Sequence, residues 1–269
     1  MCVRMRRVLS GCAALAIAAV LPGEVLAGAW TMEKGHGQVM ITATPSWADS
    51  VFNDARNVVS ATPYNKFELQ ALFEYGLTDR LTAIVMPGFQ HVAIDSPTNA
   101  TRTGLGTTEI GARYRVFEGA NWVLSGQGSV RLPGAFDSAN PAAIGHTGIE
   151  VDLRALGGVS FSMWGVPAYV DVQLAQRFRS AGPPNEFRAD FTLGVRPLPQ
   201  WLLLAQSYNV FSEGSGGPLF PSYDYHKLQL GVAYDLTPQW SLMAAAFTTF
   251  SGRNALQEDG ATIGAWYRF

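Results

Sequence analysis

From Gln38 to the C-terminus the chain alternates. Apolar residues fall at every second position over stretches of about ten residues, and turn residues separate the stretches. Glu186 to Arg196 is the cleanest run, with Phe187, Ala189, Phe191, Leu193 and Val195 set against Glu186, Arg188, Asp190, Thr192 and Arg196. Lys66 to Tyr75 opposes Phe67, Leu69, Ala71, Phe73 and Tyr75 to Lys66, Glu68, Gln70 and Glu74. Period two places the two sets on opposite faces of a strand. The pattern predicts strands over Gln38–Trp47, Lys66–Tyr75, Leu81–Val92, Glu109–Phe117, Trp122–Leu132 and Ile149–Phe161, then over Ala168–Phe178, Glu186–Arg196, Trp201–Phe211, Tyr225–Leu236, Trp240–Phe250 and Ala261–Phe269. Twelve is the count; ten and fourteen stay open, because Trp201–Phe211 and Trp240–Phe250 alternate poorly. Tight turns near Asp79, Glu118–Asn121 and Trp164–Gly165 interleave with longer loops through Thr62, up to Leu105 and up to Thr147. An even count puts both termini and the short turns at one end.

Composition changes the meaning of that alternation. Charged residues make up 15% of the chain, against roughly 25% in soluble domains. A net charge of −2 points to neither nucleic acid nor a polyanion. The mature sequence has no apolar run of the length that a membrane helix needs. A chain this apolar can then enter lipid only as a closed barrel, where every backbone polar group is paired internally. The expected fold is therefore all-β, a transmembrane antiparallel up-and-down β-barrel of about 12 strands.

The first 27 residues read as a cleaved secretory signal peptide. Arg4, Arg6 and Arg7 precede the apolar run Val8 to Val20, and Val25-Leu26-Ala27 fits cleavage after Ala27. Leu9-Ser10-Gly11-Cys12 also matches a lipoprotein box, but too few apolar residues separate it from Arg7. Cys2 and Cys12 are the only cysteines, so a mature chain of residues 28–269 has no thiol chemistry.

The last strand places Ala261, Ile263, Ala265, Tyr267 and Phe269 on one face and Thr262, Gly264, Trp266 and Arg268 on the other. A terminal strand ending on an aromatic resembles the C-terminal signature of bacterial outer-membrane barrels. That resemblance implies an outer-membrane location, outer-membrane lipids as surroundings, and Tyr267 and Phe269 as the signal read by the barrel-assembly machinery. Leu198-Pro199-Gln200-Trp201 and Thr237-Pro238-Gln239-Trp240 are near-repeats, with Ala120-Asn121-Trp122 a looser third. Each starts a strand on Trp at the level where Tyr75, Tyr234 and Tyr267 end strands, the depth of an interfacial aromatic girdle.

Glu74-Tyr75-Gly76-Leu77-Thr78-Asp79-Arg80-Leu81-Thr82, and Gly104-Leu105-Gly106 followed by Glu109 to Arg115, resemble the "MetA-pathway of phenol degradation" group of outer-membrane transporters. Gly28-Ala29-Trp30-Thr31-Met32 with Gly35-His36-Gly37-Gln38 resembles XagA-type β-barrel proteins more narrowly. The first resemblance implies passage of small, often aromatic molecules, and the second implies a link to surface polysaccharide. These motifs are turns and strands, so neither supplies a binding residue.

The polar faces give the candidate lumen lining: Lys66, Glu68, Glu74, Glu109, Arg113, Arg115, Arg131, Glu150, Asp152, Arg154, Asp171, Arg177, Arg188, Asp190 and Arg196. Their opposite signs can zip across neighbouring strands and stiffen a narrow barrel. Alternatively, some of the arginines form a ladder that selects anionic or sugar-like solutes. Twelve strands lie between a barrel filled by its side chains and an open channel. Enzymatic chemistry is not expected. Twelve-stranded outer-membrane phospholipases use a Ser/His/Asn set, but His36, His91, His146 and His226 have no His-x-Ser pairing like theirs. His226 with Asp224 is the closest approach to a catalytic pair. The histidines lack metal-ligand spacing, no cofactor is expected, and Gly104-Leu105-Gly106 reads as a turn rather than a phosphate loop. The sequence thus points to a channel or transporter for a small solute or saccharide. A non-conducting accessory barrel for polysaccharide export or adhesion is the alternative, and a lipid hydrolase is a distant third. Solute, direction and oligomeric state are not legible.

Overall fold

A computed structural model describes residues 28–135, 140, 142, 148–216 and 220–269. The signal-peptide reading of residues 1–27, with Cys2, Cys12 and the Ala27 boundary, lies outside the described residues, as does His146. Twelve strands follow one another: β1 (Gly37–Phe52), β2 (Val58–Thr78), β3 (Leu81–Met86 and Gly88–Ile94), β4 (Ala100–Leu105 and Thr108–Glu118), β5 (Trp122–Leu132), β6 (Glu150–Met163), β7 (Val166–Arg179), β8 (Glu186–Leu198), β9 (Trp201–Ser212), β10 (Asp224–Asp235), β11 (Trp240–Arg253) and β12 (Ala255–Leu256 and Asp259–Arg268). Each is antiparallel to its sequence neighbours, and β1 pairs with both β2 and β12. The sheet closes on itself, which satisfies the backbone without an exposed edge.

The interruptions have local causes. Pro87 splits β3 because it has no N–H to donate, although its carbonyl still accepts from Ala71 at 3.2 Å. Gly106 lies beside that break and bonds to Gly88. Gly104-Leu105-Gly106 is therefore not a turn. Gly104 pairs with Gln90 inside β4, and the reversal occurs earlier, between Ile94 and Ala100.

The short connections Asp79–Arg80, Gly119–Asn121, Trp164–Gly165, Pro199–Gln200 and Leu236–Gln239 share the end that holds Gly37 and Phe269, hereafter the turn end. Two expected long loops at the opposite, loop end are instead strand. β1 and β2 run on to a tight reversal at Asn53–Asn57, and residues 58–65 belong to β2. At 21 residues β2 far exceeds the 9–11 that a tilted strand needs to cross a bilayer, so this hairpin projects beyond the membrane.

The barrel is apolar outside and polar inside. Ile41, Phe67, Ile110, Leu153, Phe191, Leu230 and Ile263 are exposed on the outer face, whereas Glu74, Arg113, Asp152, Asp171 and Arg177 are buried within. A girdle rings the turn end. Trp201 lies opposite Tyr234 with ring centroids 4.8 Å apart, and Trp240 lies opposite Tyr267 at 4.7 Å.

These faces predict unequal effects for adjacent residues. Phe191 is 45% exposed on the outer face, and Phe191→Arg is expected to cost about 2–4 kcal/mol near the bilayer midplane. Thr192→Arg points into the lumen, where Thr192 accepts from the Gln206 amide at 3.3 Å, and should be far milder. Equal losses in denaturant titrations of the two variants in lipid would invert the assigned faces.

Candidate channel lumen

The strand register brings opposite charges together. On one wall Glu109 faces Arg131, Arg131 faces Glu150 and Glu150 faces Arg179, each directly across a strand pair. The ion pairs follow at 3.4, 2.7 and 2.8 Å, and Arg179 continues to Glu186 at 3.0 Å. A second row sets Arg177 against Asp152 at 3.0 Å, Arg154 against Asp190 at 2.9 Å and Arg113 against Glu74 at 2.9 Å. Arg188 has one longer contact, to Glu186 at 3.5 Å. Arg115 and Arg196 sit at the turn-end rim, paired with Glu118 and Asp235 at 2.6 and 2.7 Å. Each candidate arginine thus has a carboxylate, and directly opposed pairs of this kind stabilise a sheet. Arg179 fell one residue outside the predicted strand, yet it links Glu150 to Glu186 and also donates to the Tyr223 hydroxyl at 2.7 Å.

The remaining space is partly filled by the chain itself. Residues Gly28–His36, ahead of β1, turn back into the barrel from the turn end. Lys34 N–H donates to Asp79 at 3.1 Å, Met32 N–H to the Thr82 hydroxyl at 2.8 Å, and Arg113 donates to the Trp30 carbonyl at 3.0 Å. Higher in the lumen Ser125 donates to the Ala29 carbonyl and Ala29 N–H to Asp171, both at 2.6 Å. The segment therefore climbs across β2, β3, β4, β5 and β7. Trp30 meets Tyr169 edge-on at 5.9 Å and packs on the inward cluster that contains Leu202, Leu204, Met243 and Trp266. This explains the poor alternation of β9. Its inward Leu202 and Leu204 receive an apolar side chain, so its turn-end half is apolar on both faces.

Above this insertion lies a cavity of about 530 Å³. Gly28, Tyr169, Asp171 and Trp266 line it together with Lys66, Glu68, Arg154 and Asp190, and much of the rest is neutral and polar: Thr42, Thr44, Gln70, Gln173, Thr192, Gln206, Tyr208 and Gln229. Toward the loop end a second cavity of about 440 Å³ is lined by Tyr223, Tyr225, Phe220, Arg179 and Asn254. Both cavities touch Lys66 and Lys227. Glu258 holds these two lysines together, at 3.3 Å from Lys66 and in a short contact with Lys227. Sequence reading missed Glu258, which falls between the two halves of β12.

The candidate lumen residues thus divide by role. Lys66, Glu68, Arg154, Asp171 and Asp190 line the open cavity. Glu74, Glu109, Arg113, Arg131, Glu150, Asp152, Arg177 and Arg188 brace the wall. Among the described residues, His91 and His226 serve neither group. His91 bonds to Thr103 across the strand pair at 2.7 Å, and His226 bonds to Asn209 at 2.8 Å between the rings of Phe211 and Phe250. Asp224, 3.8 Å from His226, is held more closely by Arg56 at 2.6 Å. Among the described residues no three metal-ligating side chains cluster.

The sequence model of the family described as "Putative MetA-pathway of phenol degradation" matches residues 65–269. No curated protein matches the chain. Among solved structures, the COG4313 outer membrane channel from Pseudomonas putida F1 is similar at a TM-score of 0.75 and 16% identity, over 92% of this chain and all of that one. The KdgM porin is similar at 0.51 and 10% identity, over 86% of this chain and 99% of that one. The translocator domain of the autotransporter NalP from Neisseria meningitidis is similar at 0.55 and 14% identity, over 87% of this chain and 88% of that one. At these identities the likeness is one of fold: a porin-like barrel of the outer membrane.

Proposed function

The chain belongs to the family described as "Putative MetA-pathway of phenol degradation", and on that premise we propose that it is a channel for small polar solutes of hydroxyl-rich, saccharide-like chemistry, closed at its turn end by residues Gly28–His36. The carrying observation is the inserted segment with a polar cavity above it. The wall charges are paired with one another, so the polar part of the cavity presents mainly amides and hydroxyls, fixed by bonds such as Gln229 to Gln206 at 2.9 Å, beside an apolar patch of Met40, Leu204, Met243 and Phe247. Such groups can exchange hydrogen bonds with solute hydroxyls as water leaves, while compensated charge gives little preference for ions of either sign.

In planar bilayers the intact mature protein is expected to conduct rarely. A variant lacking Ala29–Lys34 should conduct steadily with weak ion selectivity, and its vesicles should swell in neutral monosaccharides. A deletion variant that shows the heat-modifiable mobility of a folded barrel, yet is as silent as the parent, would reject the channel. That outcome would favour the non-conducting accessory barrel, for which the braced wall is the supporting observation.

A further inference from the structure

Buried carboxylates in this barrel come with cations. Every buried acid except Asp171 has an arginine or lysine nitrogen at 2.6–3.3 Å among the described residues. Asp171 is 1% exposed and accepts hydrogen bonds from Ala29 N–H at 2.6 Å and from the Gln173 amide at 2.7 Å, but among the described residues no side-chain cation lies within ion-pair distance. A buried carboxylate without a counterion is costly.

What lies against it is Gly28. A Cβ at Gly28 would overlap the Asp171 carboxylate, and the residue has φ +99°. Only glycine fits so close an approach with that backbone. The α-nitrogen is bonded to the same Cα. Once residue 28 is the first of the chain, rotation about its Cα–C bond swings that nitrogen to the carboxylate. Val25-Leu26-Ala27 is the sequence expected of a cleavage site. Hydrolysis of the Ala27–Gly28 amide by signal peptidase, with water as co-reactant, leaves a carboxylate on Ala27 and an amine on Gly28. At neutral pH that amine takes up a proton and becomes an α-ammonium.

We propose that the α-ammonium created at Gly28 by this cleavage is the counterion of Asp171, and that the ion pair latches the inserted segment in the lumen. The latch rests on the closed-channel reading and adds its chemistry. Before cleavage Gly28 offers a neutral amide nitrogen with a single hydrogen. After cleavage it offers a charge and three donors to a buried carboxylate. The segment is thereby seated by processing, so closure is completed only in the exported chain.

The test is amine labelling of the mature protein purified from outer membranes. N-acetoxysuccinimide is applied near neutral pH, and the N-terminal peptide is quantified by mass spectrometry relative to exposed Lys34. Gly28 is expected to label roughly tenfold more slowly in the native protein than in Asp171→Asn, as befits a lost charge-assisted bond. Asn keeps the shape and burial of the site, so equal rates would show that burial alone protects the amine and would overturn the latch. A mature chain starting at another residue would overturn it as well. Should Asp171→Asn fail to fold, one alanine inserted between Ala27 and Gly28 carries the ammonium past an unaltered Asp171. Fast labelling is then expected, and labelling as slow as the parent's would sink the proposal. Because this readout is independent of conductance, a slow native amine beside a silent Ala29–Lys34 deletion would reject the channel and leave the latch standing.

Discussion

Deleting Phe269, or replacing it with Ser, is expected to reduce folded barrel in the outer membrane to a small fraction of the parent level. Phe269 closes the seam of the cylinder. Its N–H donates to the Gly37 carbonyl at 2.9 Å, and its carbonyl accepts from Gly37 N–H at 2.8 Å. Its half-exposed ring stacks between Tyr75 at 6.5 Å and Tyr267 at 6.0 Å in the turn-end girdle. Deletion removes seam bonds and ring together, whereas Ser keeps the backbone and removes only the ring. The proposal that the barrel-assembly machinery reads Tyr267 and Phe269 requires both changes to impair insertion, and Phe269→Tyr to restore most of it. Heat-modifiable, protease-protected protein in outer membranes is the measurement. Normal amounts of the Ser variant would show that the seam, not the aromatic end, is what assembly needs.

The barrel itself was legible because a lipid-facing wall allows only one answer at alternate positions. Phe187 to Val195 against Glu186 to Arg196 fixes both the strand and its faces, and a closed twelve-stranded barrel follows from repeating that pattern. Loops were less legible. Residues 58–65, Val-Val-Ser-Ala-Thr-Pro-Tyr-Asn, do not alternate cleanly, yet they continue β2, because above the membrane an outward side chain meets water and the pattern fades. Gly104-Leu105-Gly106 misled for a related reason, since glycine beside the Pro87 break marks a kink within a strand as readily as a turn. The ion-pair wall could be anticipated in its residues but not in its pairs, which depend on register. Only once Arg131 is known to face both Glu109 and Glu150 does the alternation of sign around the wall become visible.

The inserted segment left the faintest trace. Gly28 to His36 has no period, and its place in the lumen rests on contacts with strands far along the chain. Two signals pointed to it in retrospect. Trp30 is an aromatic outside any strand, and Leu202 and Leu204 are apolar on a face where other strands carry charge. An apolar patch inside a polar lumen calls for an apolar occupant, and the chain supplies its own.

Arg177→Ala is expected to be among the most destabilising single changes in the lumen wall. The Arg177 side chain is 8% exposed and sits 3.0 Å from Asp152 and 3.6 Å from Glu186, whose side chains are 2% and 7% exposed. Removing one partner of a buried pair leaves the other charge stranded, at a cost of about 3–5 kcal/mol in a dry interior. A lumen that admits water brings the expectation to the lower end of that range. Arg188→Ala, which loses a 3.5 Å contact from a side chain 19% exposed, should cost no more than about 1 kcal/mol. Denaturant titrations in lipid vesicles compare the two, and the double change Arg177→Ala with Asp152→Ala should recover part of the loss by removing the stranded charge. If Arg177 instead served an anion-selecting ladder, Arg177→Ala would fold with parental stability and shift the reversal potential under a salt gradient. Near-parental stability with altered selectivity would therefore overturn the bracing role assigned to this wall. A large loss of stability, recovered in part by the double change, would bear it out.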